Sequence, residues 1–561
     1  MPRSPELHAP TAPADRWLGF AALAAGLAMV VLDGTIVGVS LPAMVDDLQL
    51  SLTTGEWITT GYAMVFAALL LTFGRLGDRH GRRLMFVLGV LVFLAASAWC
   101  ALAVDGGWLI AGRMAQGIGG AMVLPASLSS VNATFRGADR AVAFGLWGAV
   151  MAGAAALGPL LGGWLTESFG WRWIFAVNLP VGLAVLALAT HTPESRSEEE
   201  GDDRDLAGLV TSALGLGLLV FGLIEGWDLG WLTPTADFSL GGLTWSHTAP
   251  ISVVPVALVA GALLCLVFVV VERRRRAAGR SVLLDLSLFG IPSFRWGNLT
   301  AAMVAVGEFA LLFVLPLYLV FALRLSIMAS GWVLAAMALG AFVAGSGARH
   351  LAVRLGPARV VVLGLALELV AVVGSALLLE FAPGAVGLAA LLAVYGLGLG
   401  LASAQLTSLV LRDVPTAQSG SASATQSTVR QLGSAVGAAA AGTALALGFT
   451  LTVPAQLARV DGVSAADAHT MIDYMIRTAG GIIEQVHDRG TEGYFGALGP
   501  QVVDALIRAF AQSAGGALWL AAGFIGLGLV GALALARRSA SLPDPRASLP
   551  LHSAAKDESH G

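Results

Sequence analysis

The sequence predicts an all-α polytopic membrane protein, built as two six-helix halves with a two-helix hairpin inserted between them, fourteen transmembrane helices in all. Three observations lead there. Apolar residues make up 57% of the 561-residue chain and charged residues only 12%, against about a quarter in ordinary soluble proteins. The apolar residues are gathered into long runs, and ~20 residues cross a bilayer as a helix at ~1.5 Å each. The link after the tenth run, Ala352–Arg359, is a degraded echo of the link after the second, Gly74–Arg83. A duplicated half leaves that kind of echo.

Residues 1–16 are Pro-rich and polar, a composition expected of a disordered N-tail. No small-residue cleavage site follows the first run, Trp17–Leu41, so it reads as a retained helix and not a removable signal peptide. Runs two to six lie at about 55–73, 84–104, 108–131, 141–165 and 172–190, closing an N-terminal half over 17–190. A charged cytoplasmic linker, 191–205, leads to the inserted hairpin at 206–271, with runs at about 206–226 and 250–271. The C-terminal half, 272–536, carries runs at about 294–320, 327–348, 359–380, 385–411, 420–449 and 515–536, before a C-tail at 537–561. With both termini cytoplasmic, 24 of the 32 basic residues fall inside; only Arg172, Arg324, Arg459, Arg477, Arg489 and Arg508 fall outside. That is the asymmetry expected of a helical membrane protein.

Two outer segments carry signals of their own. Gly241-Gly242 between short alternating stretches of 235–246 reads as a small β-hairpin. The extracytoplasmic loop 451–513 is too long to be structureless. Ser464 is placed to cap a helix carrying Met471, Ile472, Met475 and Ile476 on one face, and Pro500 to open another. The favoured reading is an amphipathic helix lying in the membrane interface; a lid over the outer vestibule is the alternative.

Several functions are excluded by what the chain lacks. Cys100 and Cys265 both lie inside apolar runs, so neither a disulfide framework nor a metal site is expected. There is no His-Glu-x-x-His, P-loop or Cys-x-x-Cys pattern to build a metalloenzyme or ATPase. The nine histidines form no cluster of the kind an integral-membrane enzyme needs, and the tails are too short for a soluble signalling domain. A net charge of −4 is small and says nothing about a nucleic-acid partner, and none is expected. A monomeric transporter remains, whose partners are the bilayer, protons and a small-molecule substrate. It is expected to need no cofactor beyond the proton motive force.

Charges inside the runs locate the chemistry. Asp33 sits in the first run, where a carboxylate costs several kcal/mol unless paired, hydrated or protonated. The fourth run offers a partner in Arg113-Met114-Ala115-Gln116. Asp33 lies ~12 Å and Arg113 ~8 Å below the outer ends of their helices, so the two occupy nearly one layer. A helix-packing ion pair would account for that, but low dielectric beside a movable neighbour also makes a proton switch. Glu308, near the middle of the ninth run, is the second candidate proton or cation site. Arg430 is expected to neutralise either Glu308 or Glu368; Glu368 reads as a structural partner, and Glu225 sits at a helix end where a carboxylate is cheap.

The link Gly74-Arg75-Leu76-Gly77-Asp78-Arg79-His80-Gly81-Arg82-Arg83 holds more than a topology anchor needs, because arginines alone would fix the side. It resembles the signature loop G-x-L-x-D-R-x-G-R-R of the major facilitator superfamily at every specified position. The stretch Gly153–Gly163 resembles the G-x-x-x-x-G-P-x-x-G-G motif of facilitator antiporters, through Gly153, Gly158, Pro159, Gly162 and Gly163. Trp171–Gly182 is similar to the sixth-span entry of fourteen-spanner drug:proton antiporters of the EmrB/QacA type. The resemblance extends over runs one to thirteen and implies the major facilitator fold in a bacterial cytoplasmic membrane. It also implies substrate or proton handling by Asp33 and Arg113, and gating by Gly74, Asp78, Arg79, Gly81, Arg82 and Arg83. Gly38, Ser40, Val320 and Arg324 depart from the family pattern beside the cavity or its mouth, so substrates do not carry over from relatives.

The expectation is a proton-driven exporter of amphipathic, cationic organic compounds working by alternating access. Export of an endogenous metabolite, lipid or antibiotic is the alternative. Asp78 is further expected to dock on the helix start at Ser419-Gly420-Ser421 and latch the cytoplasmic mouth shut.

Overall fold

Long apolar runs in a chain with few polar breaks have one economical solution, helices that satisfy their own backbone groups and bury their faces on one another. The computed structural model describes residues 13–135, 137–195, 205–226, 229–240, 243–280, 282–379, 384–414 and 419–540. The N-terminal half contains α1 (Pro13–Asp47), α2 (Leu52–His80), α3 (Arg82–Ala101), α4 (Gly106–Thr134) and α5 (Gly137–Phe169). Its sixth span is broken at Val177 into α6 (Trp173–Ala176) and α7 (Asn178–Leu188). The inserted hairpin is α8 (Leu206–Ile224) and α9 (Val253–Ala277), joined through strands β1 (Phe238–Leu240) and β2 (Leu243–Trp245). The C-terminal half contains α10 (Pro292–Leu317), α11 (Ile327–Leu355), α12 (Pro357–Leu379), α13 (Ala385–Leu411) and α14 (Ser419–Leu457). It ends with α15 (Ala465–Arg477), α16 (Ile482–Arg489) and α17 (Gly499–Ala540).

Among the described residues, eleven helices are long and apolar enough to cross a membrane. The helices α2, α4 and α5, of 29, 29 and 33 residues, complete the N-terminal half. The expected β-hairpin forms, with Phe238 opposite Trp245 and Leu240 opposite Leu243. Its Gly241-Gly242 turn lies outside the described residues, as do residues 1–12, most of the charged linker and the C-tail from 541.

The internal repeat is a repeat of construction. Most of the decapeptide, expected to be a turn, is the end of α2; the chain reverses at Gly81 alone, with φ +126°. In the C-terminal half α11 runs to Leu355, reverses at Gly356 with φ +85°, and restarts as α12 at Pro357. Only glycine adopts these angles without strain. The echo in the sequence therefore marks the same one-residue break in both halves.

The halves meet along two seams. On one, α5 fits between α1 and α11. A Cβ at Gly158 would collide with the Thr35 hydroxyl, and one at Gly162 would lie 2.9 Å from Ile36 Cγ1. One at Gly163 would lie 3.1 Å from Met328 Cα, and one at Gly331 2.7 Å from the Pro159 carbonyl oxygen. The glycine–proline motif thus packs one face on its own half and the other on the opposite half. The α5 end is tied to the start of α11 by Glu167, which accepts hydrogen bonds from the Met328 backbone N–H (2.8 Å) and the Ser326 hydroxyl (3.2 Å). On the second seam α2 lies on α14, where the Glu56 carboxylate presses on Gly442. Helix α8 closes over this seam, with Trp57 Nε1–H donating to Glu225 (2.8 Å) and the Thr443 hydroxyl donating to the Leu223 carbonyl (3.1 Å).

The segment 451–513 is not a membrane-surface helix with loops. α14 continues to Leu457 and α17 starts at Gly499, with Pro500 in its first turn. Ser464 caps α15 as expected, in a reciprocal box with Asp467 (3.1 and 3.0 Å). The apolar face of α15 turns into the protein: Met471, Ile472, Met475 and Ile476 are buried in one cluster with Val45 and Leu50 of the N-terminal half and Phe321 and Phe510 of the C-terminal half. The interfacial reading is overturned, because protein side chains offer this face closer packing than lipid. Helices α15 and α16 form a lid.

Candidate functional site

The two acids and two arginines singled out inside the membrane runs fall into two clusters, one in each half. In the N-terminal half, Asp33 of α1 and Arg113 of α4 are 0% and 1% exposed. Arg113 Nη1 donates to Asp33 Oδ2 at 2.5 Å and to Gln116 Oε1 at 2.7 Å, and its Nε donates to the Ile58 carbonyl at 3.2 Å. Gln116 Nε2 returns a hydrogen bond to Asp33 Oδ1 at 3.0 Å and donates to Ser97 Oγ at 2.8 Å. Asn178 Nδ2 reaches Asp33 Oδ1 at 3.1 Å and Ser97 Oγ at 3.2 Å. The Tyr62 ring lies 4.3 Å below the guanidinium carbon, a cation–π contact.

Depth along the helices was enough to pair Asp33 with Arg113, since both sides of the estimate are fixed by helical rise. Ser97, Tyr62 and Asn178 were not legible as site residues. Asn178 stood inside the quoted sixth-span run, but its role arises only where α7 starts beyond the break at Val177. Asn178 holds the carboxylate directly, whereas Ser97 and Tyr62 hold the groups that bond it: Asp33 Oδ1 accepts from two amides and Oδ2 from the guanidinium, so its position is held from two other helices, α4 and α7. A buried pair with its lone pairs satisfied is stable, and removing either partner leaves an uncompensated charge.

In the C-terminal half Glu308 Oε2 on α10 lies 3.7 Å from Arg430 Nη2 on α14. Arg430 therefore neutralises Glu308, deciding between the two acids the sequence allowed. Glu368 on α12 is fully buried, and neither of its carboxylate oxygens has a hydrogen-bond partner. The reading of Glu368 as a structural partner is corrected by that.

At the Gly74–Arg83 link, Arg79 is exposed and Arg82 and Arg83 are half-buried; Gly74 packs near Pro125 of α4. The side chains of Asp78, Ser419 and Ser421, and the surroundings of Gly420 and Gly153, lie outside what the structure describes. The partner the structure does supply is Glu194 of the charged linker. Its carboxylate accepts from the backbone N–H groups of Arg83 (3.1 Å) and Leu84 (3.2 Å), while Arg82 N–H donates to the Ser195 carbonyl (3.1 Å). A Cβ on Gly81 would lie 2.7 Å from the same carboxylate. Glu194 thereby caps α3, and the linker closes on the decapeptide.

At the opposite end of the bundle the lid rests on both halves. Val45, Asp46, Gln49 and Leu50 line a small crevice on one side, with Phe321, Thr478, Gly481 and Gln485 on the other. Burial, with Asp46 and Asp488 nearby, raises the pKa of Glu484 on α16 above the ordinary carboxylate value, against the opposing pull of Arg324 and His487. With the α5–α11 seam also closed, the bundle is shut at the end that carries the lid.

A sequence model of the Major Facilitator Superfamily matches residues 23–438. The chain is 33% identical over 447 residues to a probable actinorhodin transporter of Streptomyces coelicolor, covering 77% of this chain and 72% of that one. It is 31% identical over 463 residues to the multidrug efflux pump LfrA of Mycolicibacterium smegmatis, covering 81% and 86%. A shorter match, 37% over 216 residues and 40% of the relative, is to a tetracenomycin C resistance and export protein of Streptomyces glaucescens. Among solved structures, a bacterial homologue of the human lysosomal transporter Spinster, inward-facing and unoccupied, superposes with a TM-score of 0.58 at 16% identity, over 93% of this chain and 99% of that one. Two six-helix bundles with a one-residue reversal after the second helix of each, and a family match across most of both, place this chain in the major facilitator superfamily.

Proposed function

We propose that this protein is a proton-coupled efflux transporter that exports amphipathic organic compounds, preferably cations, across a bacterial cytoplasmic membrane. The observation that carries the reading is the buried Asp33–Arg113 pair, 2.5 Å apart and held by Gln116 and Asn178. An ionised carboxylate kept at membrane depth is expensive to maintain. Protonating Asp33 breaks the charge pairing and loosens α1 from α4. That gives the proton a means to bias the exchange between inward- and outward-open states. Glu308 and Arg430 supply a second charged pair in the opposite half.

Support also comes from the relatives, which include a multidrug efflux pump and a tetracenomycin C resistance and export protein. A proton motive force of ~150 mV supplies ~3.5 kcal/mol per charge, enough for a gradient of a few hundredfold. The proposal includes fourteen spans of the EmrB/QacA arrangement, both termini inside, a monomeric unit, and Gly74–Arg83 as part of the cytoplasmic gate. In inverted vesicles, an inward-acid proton gradient is expected to drive uptake of ethidium, and collapse of the gradient to stop it. Matched organic anions should compete less well than lipophilic cations. Preferred, pH-independent transport of the anions would refute the cation reading.

A second reading, export of an endogenous antibiotic, is favoured by the similarity to the actinorhodin and tetracenomycin C transporters. It predicts transport of actinorhodin or tetracenomycin C with little activity toward ethidium.

A further inference from the structure

We infer that Glu368, with Tyr395 beside it, forms a second proton-binding site, in the C-terminal half, that exchanges its proton against a cation arriving at Glu308. The site is built from four helices. Glu368 is 0% exposed, and its side chain lies flat on α13, where a Cβ on Gly398 would sit 2.9 Å from Glu368 Cγ. Tyr395 is one helical turn away on the same helix, equally buried, with its hydroxyl unpartnered. Glu308 and Arg430 lie within electrostatic reach of both.

Charge counting assigns the protonation. Arg430 is one positive charge and stands 3.7 Å from Glu308. That leaves Glu368 with neither a counter-ion nor a hydrogen bond. An unpaired buried carboxylate costs several kcal/mol, and it avoids that cost by holding a proton. Among the described residues no other titratable group faces it: the membrane part of α17, Ala517–Leu535, contains none, and α11 has none over Ile327–Ala348. The two carboxylates and one arginine are therefore neutral with one bound proton.

Exposure shows the order of events. The Arg430 side chain is 40% exposed, Glu308 12%, and Glu368 not at all. An incoming cation meets Glu308 first. Its positive charge adds to that of Arg430, so Glu368 ionises and its proton leaves toward the same water-exposed edge. Removing the cation reverses the exchange. The arrangement mirrors the first half, where the polar cluster likewise draws on the first, third and fourth helices through Asp33, Ser97 and Arg113. The part played in export rests on the function proposed above; the bound proton does not.

The test is infrared difference spectroscopy of the full-length protein, titrated with alkali in the absence of substrate. Wild type is expected to show the carbonyl stretch of a buried protonated carboxylic acid near neutral pH, lost in Glu368→Gln. Arg430→Gln, which strands both carboxylates, is expected to roughly double that band. A wild-type band in folded Glu368→Gln protein, or no gain in folded Arg430→Gln protein, overturns the site. Protein that shows the expected bands but no gradient-driven ethidium transport keeps the site and refutes the export of lipophilic cations proposed above. Protein that transports ethidium without the band refutes the site alone.

Discussion

Arg113 Nη1 lies 2.5 Å from Asp33 Oδ2, and the two side chains expose 2% and 0% of their surface. Neither charge has water to fall back on, so each variant has a defined consequence. Asp33→Asn keeps the shape and the amide contacts but removes the titratable group. It is expected to abolish gradient-driven ethidium transport while the purified protein stays monodisperse. Arg113→Ala, by contrast, strands the carboxylate and is expected to cost about 3–5 kcal/mol in a thermal or denaturant unfolding measurement. In the Asp33→Asn background the same change should cost much less.

The α5–α11 seam depends on a glycine with no room for a side chain. A Cβ at Gly331 would stand 2.7 Å from the Pro159 carbonyl oxygen. Gly331→Val is expected to part the outer ends of these helices and enrich the outward-open state, tenfold for every ~1.4 kcal/mol of strain. Spin labels at the outer ends of α5 and α11 should report longer distances. An unchanged distribution would show that the seam does not hold the outer mouth.

The lid should respond to pH through Glu484. Its pKa is raised by burial first, then by Asp46 and Asp488, with Arg324 and His487 opposing. For an acid with a raised pKa the proton-bound form favours the seated lid. Seating is therefore strongest in acid and weakens as pH rises from the ordinary carboxylate value through the raised one. Hydrogen-exchange protection of α16, corrected for intrinsic rates, is expected to fall as pH rises above the ordinary carboxylate value. Glu484→Gln should flatten that dependence, and a wild-type slope in the variant would assign it to another group.

At the cytoplasmic side two acids are expected to act differently. Glu194→Ala removes the cap from α3 and should cost about 0.5–2 kcal/mol locally, seen as faster hydrogen exchange at Arg83 and Leu84. Asp78→Asn is expected to raise the inward-open population, tenfold for a loss of ~1.4 kcal/mol, in distances between labelled cytoplasmic helix ends. Lost transport with an unchanged distance distribution would show that Asp78 is not a latch.

The sequence by itself determined the helical membrane class, the repeat and the Asp33–Arg113 pair. Those depend on quantities local to one helix: the length of an apolar run, the rise per residue, and the cost of a charge in hydrocarbon. It also placed the Ser464 cap, because a capping box is made within four residues. Tertiary structure alone decided which surface covers the apolar face of α15, since a stripe of Met and Ile suits a membrane and a protein core equally well. Burial in one cluster with Val45, Leu50 and Phe321 made it a lid. The same holds for Glu194, whose partners lie 110 and 111 residues back in the chain. It holds for Arg430 too, whose choice of Glu308 over Glu368 rests on how α10, α12 and α14 are rotated about their axes. Helix rotation in a bundle is set by the packing of many small side chains at once, and no short stretch of sequence contains it.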